Sequence, residues 1–452
     1  MSPDELARCA TMLRELAADA SAFLDKQAPN FAALAEVRRE ANRLIEAVKG
    51  RVRAKRGQPN GSKTEILPEP TIAHAKPETP SIPIPARSVA EPSGVCYSCR
   101  SQIAQVHSHY HWMCQTCGDW NWQKREQSAD LTGRVALVTG GRVRIGFQTC
   151  LKLLRAGAIV HAVTRFPHDA AERYACEADY DVWRDRLKIH ALDLCNLPAV
   201  ERFANQIAST PLDILINNAA QTVRPTPEFF THMLTREAHL GVHLSPVSLS
   251  KVVHYIESKS TGLPLMHPVA TTIGNNILIN QPTGTFLDQR TTNSWMERIG
   301  GIAPVEALEV HFINAIAPFL LIQGMLPAMR ASPWPRRFIV NVASREGQFA
   351  GKTSPRHPHT NMAKAALNML TRSLAADLRK QSIFINSVDP GWISDQRPFA
   401  TAEQTRAEAG DWLPLDDVDA AARLLDLVFL GAVNESPIPS GKLMRNYRAT
   451  EW

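Results

Sequence analysis

Four of the chain's eight cysteines fall in one short stretch. "CYSC" supplies Cys96 and Cys99, "CQTC" supplies Cys114 and Cys117, and fourteen residues separate the two pairs. Each C-x-x-C pair can present two thiolates from a single tight turn, and two such turns facing one another complete a tetrahedral zinc site. A pair of disulfides is the alternative, which a reducing compartment disfavours. Four thiolates leave no open position for water, so zinc here folds the module and does not catalyse. Its loss is expected to unfold the module only. His107, His109 and His111 of "HSHYHWM" are replacement ligands by type, but surplus to a site already closed.

A second constellation is spread over the rest of the chain. The apolar run "GRVALVTGG" leads into "TGGRVRIG", Thr139 to Gly146, and then the helical pattern "FQTCLKLLRAG". Gly140 permits a tight turn, Gly146 lets a helix approach the strand, and a helix N-terminus placed there suits a pyrophosphate. The next apolar run ends "AVTRF", with no acidic residue for a ribose 2′-hydroxyl. Thr164 and Arg165, with Arg142 and Arg144 in the loop, suit a 2′-phosphate instead, because a guanidinium matches it in shape and charge. The expected cofactor is therefore NADP(H) over NAD(H).

Further on come "LDL" with Asp193, "NNAA" with Asn217, Asn218, Ala219 and Ala220, and "HFINAIAPF" with Asn314. "IVNVASREG" follows with Ser344, "TNMAK" with Lys364, and "VDPGWIS" with Pro390, Gly391 and Ser394. In this order, over roughly residues 130 to 452, the set resembles the short-chain dehydrogenase/reductase superfamily. The resemblance implies a Rossmann fold and hydride exchange between a nicotinamide cofactor and a carbonyl or alcohol substrate. It assigns Thr139, Gly140, Ile145 and Gly146 to the cofactor loop, and Asp193 to the adenine edge. Asn218 and Ala219 fall to the wall beside the cofactor, and Pro390 and Gly391 to the stretch closing over the nicotinamide. Asn314, Ser344 and Lys364 match three members of a catalytic tetrad, Lys364 also holding the nicotinamide ribose. Arg144 stands where a glycine is usual, as a basic residue does in pteridine reductases.

The fourth tetrad member is missing. Four residues before the lysine the superfamily carries a tyrosine, and here the residue is Thr360. An aliphatic hydroxyl is too weak an acid to replace a phenol near neutral pH, and it is shorter. No tyrosine lies between Tyr255 and Tyr447, so a substitute from nearby sequence is not a tyrosine. His359, directly before Thr360, and His357 titrate in the useful range; either can equally pack or cap the loop between Pro355 and Pro358. Two function classes remain. One is an NADP-dependent oxidoreductase whose proton runs through His359, Ser344 or water. The other is a dinucleotide-binding module that serves as a sensor or interaction scaffold without turnover.

The elements that must position these residues are legible as repeated strand–helix units from Leu131 onward, which demand right-handed crossovers and a doubly wound parallel sheet. Ahead of them, residues 1–56 read as two amphipathic helices, 57–94 as a proline-rich linker, and 95–125 as the zinc module. Ala220 and Asn314 are 94 positions apart, so the Rossmann domain of residues 130–452 carries an insertion at about 221–305. Excess loop of that size is functional or disordered; "EFFTHML", "KVVHYI" and "NSWMERI" read as short helices within it. A protein partner would use the helical N-terminus, the zinc module or the insertion, and a homo-oligomer is expected. No apolar run approaches the roughly 20 residues of a membrane span, and the N-terminus is acidic and amphipathic, so a cytoplasmic protein is expected. The formal charge of +6 is modest for 452 residues and lends nucleic-acid binding no support.

Overall fold

The computed structural model describes residues 94–243, 253–255, 279–280, 284–351, 353–409, 413–433 and 437–452. The expected N-terminal helices and nearly all of the linker lie outside the described residues. Glu65–Gln404 and Trp412–Trp452 form the compact unit that holds the sheet and the cysteine module.

In chain order the elements are α1 (Gln115–Glu126), β1 (Val135–Thr139), α2 (Arg144–Arg155), β2 (Ile159–Thr164), α3 (Pro167–Ala175), the single turn α4 (Tyr180–Trp183), β3 (Leu187–Ala191), α5 (Leu197–Ile207) and β4 (Ile214–Asn217). The insertion contributes α6 (Pro227–His243), β5 (Val253–Tyr255), β6 (Ile279–Asn280) and β7 (Thr285–Phe286). Then come α7 (Pro304–His311), α8 (Ala317–Ala331), β8 (Arg337–Val342), α9 (Pro358–Lys380), β9 (Ile383–Asp389), α10 (Phe399–Ala409), α11 (Asp417–Val433), β10 (Leu443–Arg445) and β11 (Arg448–Thr450).

Nine strands form one sheet in the order β11-β10-β9-β8-β4-β1-β2-β3-β5, and every pairing except β10–β11 is parallel. Strands such as "VALVT" and "ILIN" are buried along almost their whole length, as strands covered on both faces must be. One face packs Leu151, Leu154, Tyr174, Leu424 and Phe429 against the sheet, and the other packs Phe203, Leu321, Met325 and Leu378. The chain reverses direction across the sheet between β1 and β4, which opens the crevice at their carboxyl ends where such folds bind ligands. The doubly wound parallel sheet is therefore as expected.

Two elements differ from expectation. In "KVVHYI" the described Val253–Tyr255 is not helical but an edge strand pairing in parallel with β3, and a β-branched valine favours that state. "NSWMERI" is a run of turns whose polar groups are spent on neighbouring segments. Pro304–Ala331 forms one helical stretch long and apolar enough by length and composition to cross a membrane, and more than half of its apolar window is buried inside this fold. Its buried Val310, Ile313, Leu321 and Met325 make it a core helix.

Candidate active site and cysteine module

The crevice is lined first by the loop between β1 and α2. Gly140 adopts φ +73°, and a Cβ on it would lie 3.0 Å from the Ala219 Cα. A Cβ on Gly146 would lie 2.1 Å from the Gly140 carbonyl oxygen and 2.5 Å from the Asn218 amide nitrogen, so only glycine lets α2 start here. Arg144 takes φ +56°, the left-handed conformation of the glycine it replaces. The Thr139 hydroxyl accepts the Asn218 and Ala219 N–H groups, each at 3.0 Å, and the Asn218 side chain donates back to the Thr139 carbonyl at 2.9 Å. Loop and "NNAA" wall are thus one locked unit.

The four basic and hydroxyl residues expected at a 2′-phosphate are not equivalent. Arg142 is buried against Asp169 at 2.7 Å and donates to the Gly284 carbonyl at 3.3 Å. Asp169 also takes Arg173 at 2.8 Å and Arg236 at 2.7 Å. Burial pushes the Asp169 carboxyl up, but Arg142 and Arg173 outweigh it and bring it down to about 2. Arg144 reaches Asp417 at 3.4 Å and the Ile393 carbonyl at 3.2 Å. Both loop arginines thus have acceptors nearby that the sequence alone does not show. Arg165 is half-buried, has no carboxylate partner among the described residues, and lies 5.0 Å from the Phe230 ring centroid. The Thr164 hydroxyl accepts the Phe166 N–H at 3.1 Å, and Asp193 accepts the Cys195 N–H at 2.9 Å.

On the other side of the crevice α9 presents Lys364 and, one turn earlier on the same face, Thr360. Lys364 is only 5% exposed; its ammonium donates to the Val342 carbonyl at 2.8 Å, and burial lowers its pKa to about 8. The 3-10 turn Arg345–Gly347 that follows Ser344 is clamped to this stretch, since Asn368 donates to the Gly347 carbonyl at 2.9 Å and a Cβ on Gly347 would lie 2.7 Å from the Lys364 carbonyl carbon. The Ser344 hydroxyl makes no hydrogen bond among the described residues. Asn314 sits in a π-turn, Phe312–Ile316, and clasps the backbone of Gln221, accepting its N–H at 3.0 Å and donating to its carbonyl at 2.7 Å. The Thr360 hydroxyl, 2% exposed, points to the carbonyl of the next residue, Thr222, at 3.5 Å.

The two histidines separate by role. His357, at φ +44°, donates its N–H to the Glu297 carbonyl at 2.8 Å and its Nδ1–H to the Trp295 carbonyl at 2.8 Å, with its ring stacked 3.8 Å from that of Trp295. It ties the insertion to the start of α9. His359 is 4% exposed, and neither ring nitrogen makes a hydrogen bond of good geometry. Burial lowers its pKa, which the nearby Glu306 carboxylate and Thr222 carbonyl partly counter. Neither remaining tyrosine fills the gap by backbone placement: Tyr255 is registered with Ala191 at the far edge of the sheet, and the Tyr447 ring lies against Trp120, Lys124 and Arg423.

Sequence reasoning missed several groups. Glu309 is buried between Arg224 at 3.0 Å and Gln221 at 3.1 Å. Asn341, Thr371 and Ser387 join Asn217 of "NNAA" in a buried chain of 2.8 Å hydrogen bonds from β4 to β9. Asp389, whose carboxyl burial pushes up, lies 3.5 Å from Arg445. Only the asparagines stood out by type, as polar residues inside the apolar strands "ILIN" and "RFIVNV".

The four cysteines come together as well. One sulfur from each of Cys96, Cys99, Cys114 and Cys117 lies within 4.8 Å of all the others. Zinc–sulfur bonds of about 2.3 Å in a tetrahedron place sulfurs roughly 3.8 Å apart, and Cys99 and Cys114 are 3.9 Å apart, so the donor set fits that ion. Hydrogen bonds from Ser101 lower the Cys99 thiol to about 6, while burial pushes Cys117 up to about 12, a desolvation that a cation would offset. His107 is no ligand here: its Nδ1 accepts the N–H groups of His109 and Tyr110 at 3.1 Å, and its Nε2 faces Asp119 at 3.4 Å.

Family models match in two parts, short chain dehydrogenase over residues 134–254 and enoyl-(acyl carrier protein) reductase over residues 293–425. The gap between them falls in the insertion, and the cysteine module lies outside both. Uncharacterized protein R665 of Acanthamoeba polyphaga mimivirus is 33% identical over 347 residues, covering 74% of this chain and 71% of the relative. (-)-Isopiperitenone reductase of Mentha piperita is 25% identical over 61% of this chain and 89% of its own. Among solved structures, an NADPH-bound carbonyl reductase from chicken fatty liver aligns over 71% of this chain and 100% of its own, at 20% identity and a TM-score of 0.43.

Proposed function

Because the chain belongs to the short-chain dehydrogenase/reductase superfamily, we propose that it is an NADP(H)-dependent oxidoreductase for a carbonyl or alcohol substrate, with the proton carried by a group other than tyrosine. The observation that carries the reading is Lys364, a buried amine held on the Val342 carbonyl, two residues before Ser344, whose hydroxyl is unengaged, in a fold with a glycine-lined loop at the crevice. A buried amine with no carboxylate partner is a feature that functional sites concentrate.

The cradle that a Cβ on Gly140 or Gly146 would fill fits a dinucleotide pyrophosphate at the start of α2. Thr139, Gly140, Ile145, Gly146, Asn218 and Ala219 would hold it there, with Asp193 at the adenine edge. Thr164 and Arg165 would take the 2′-phosphate, and Pro390 and Gly391 would cover the nicotinamide. When bound, NADPH supplies the hydride. Ser344 would hold the substrate oxygen, and the Lys364 ammonium would hold the ribose. Thr360 carries no proton; His359, whose ring nitrogens are unengaged, would take the alcohol proton in oxidation and give it to the carbonyl oxygen in reduction. The cysteines hold one structural zinc. Apolar Ile316, Phe319, Met362 and Met369, exposed on the π-turn, α8 and α9, support self-association. The competing reading, a dinucleotide-binding module without turnover, is favoured by the burial of Thr360 against Thr222, which leaves no acid directly beside Lys364.

NADPH oxidation by the purified protein over a panel of carbonyl compounds separates the two. The oxidoreductase turns over, and His359→Ala lowers turnover by about 10²-fold or more with NADPH affinity unchanged. Tight NADPH binding with no turnover, together with activity gained in Thr360→Tyr, establishes the binding module instead.

A further inference from the structure

The cysteine module does not hang from the linker as an independent domain. Its apolar interior is continuous with the crevice: Cys96, Ile103, Tyr110 and Met113 share one cluster with Ile393, Leu415 and Ala420, and Ile145 of the cofactor loop packs against it. Polar contacts reinforce the seam. Tyr110 donates to Asp419 at 2.6 Å, Arg125 reaches Asp416 at 2.6 Å and Asp419 at 2.9 Å, and Arg423 is bonded to Asn121. The module therefore shares its interior with the body of the fold.

One contact links the metal turn to the cofactor segment directly. Tyr97, between Cys96 and Cys99, is anchored by its own N–H on the Trp112 carbonyl at 2.7 Å. Its hydroxyl oxygen accepts the Trp392 N–H at 2.9 Å. Gly391, at φ +89°, lies beneath it: a Cβ there would sit 3.1 Å from the Tyr97 hydroxyl and 2.5 Å from a Leu415 methyl. The following Ile393 is buried in the module's cluster, and its carbonyl takes the Arg144 guanidinium of the cofactor loop. The Cys96–Cys99 turn, the Gly391–Ile393 segment and the α2 loop therefore meet around one tyrosine.

We propose that Tyr97 is a positioning residue: from inside the metal turn it fixes the backbone of Gly391–Ile393, so that zinc occupancy of the four cysteines sets the closure of this segment and the affinity for the dinucleotide. This rests on the NADP(H) reading above for its functional consequence and on geometry alone for the mechanical link. Zinc would fix the Cys96–Cys99 turn, the turn fixes the tyrosine, and the tyrosine fixes an amide in the segment that the reading above sets over the nicotinamide. Tyr97→Phe removes only the hydroxyl and keeps the ring that packs in the module.

Zinc content, NADPH affinity and residue-resolved amide exchange, measured on the full chain, test the proposal. In Tyr97→Phe zinc stays at one ion per chain, exchange accelerates at Trp392 and its neighbours but not in the β-sheet, and NADPH binds about 3- to 10-fold more weakly, the loss of one hydrogen bond. Removing zinc from the wild type with a chelator gives the same local pattern more strongly, and adding zinc back restores it. Unchanged exchange at Gly391–Ile393 in both cases overturns the link. Faster exchange with unchanged NADPH affinity overturns its effect on the cofactor. A wild type that binds no NADPH defeats the functional reading separately, and the exchange measurement then decides the mechanical link alone.

Discussion

Lys364 has a consequence that can be read by titration. Its ammonium is out of water, and desolvation brings its pKa to about 8, well below that of a free lysine. Between about pH 8 and the ordinary lysine value the unfolded chain binds the proton that the folded chain has released, so this residue adds stability as pH rises through that window. Cofactor binding runs the other way, because it is the charged form that would hold a ribose. NADPH affinity is expected to fall as pH rises through about 8, and Lys364→Gln is expected to remove that dependence; an affinity flat to about pH 10 in the wild type would rule the role out. His359 carries a second lesson at this scale. Its type and its place before Thr360 were visible in "HPHTNMAK", whereas the absence of good hydrogen bonds to its ring nitrogens depends on how α7 and the Thr222 loop pack around it. The same stretch hid the opposite role of His357, whose partners Trp295 and Glu297 arrive from the insertion.

At the scale of elements, the start of α2 is where local sequence and tertiary geometry agree most closely. Gly146→Ala drives a Cβ into the Gly140 carbonyl and the Asn218 amide, both already committed to holding the loop. A loss of about 1–3 kcal/mol in urea unfolding is expected from overpacking of this kind, with NADPH binding lost at the same time; a variant of unchanged stability that still binds NADPH would show the helix start to have room to spare. Glycine spacing and apolar strands made this much of the fold legible, because both are local signals. The insertion was less so. "KVVHYI" supports either state over so short a run, and pairing with β3, more than 60 positions earlier, decides for strand. Arg142 shows the same limit in the site: its charge is in the sequence, but Asp169, on the helix after β2, claims it.

For the whole molecule, the seam between the cysteine module and α11 contains an ion pair that cannot be halved cheaply. Lys124 meets Asp426 at 2.6 Å with both side chains buried. Lys124→Ala leaves that carboxylate without its partner, and a destabilisation of about 3–5 kcal/mol is expected. Burial has already pushed the Asp426 carboxyl up, against the pull of Lys124, and removing the lysine raises it further. The folded variant then holds a proton that the unfolded chain has released, so its deficit should shrink as pH falls from the raised folded-state pKa toward the ordinary carboxylate range in thermal unfolding. A pH-independent loss would mean that packing, and not the unpaired charge, accounts for it.

The same pair also dates the assembly of the protein on the ribosome. Lys124 and Asp426 are 302 residues apart, so at roughly 5–20 residues per second the lysine leaves the ribosome about 15–60 s before its partner exists. Through most of that interval the module has none of α11 to pack on, and the apolar side later covered by Ile393, Leu415 and Ala420 is open to solvent. If the four thiolates bind the zinc proposed above, that ion is what the nascent chain has at hand to keep the fragment folded while the sheet is still being made.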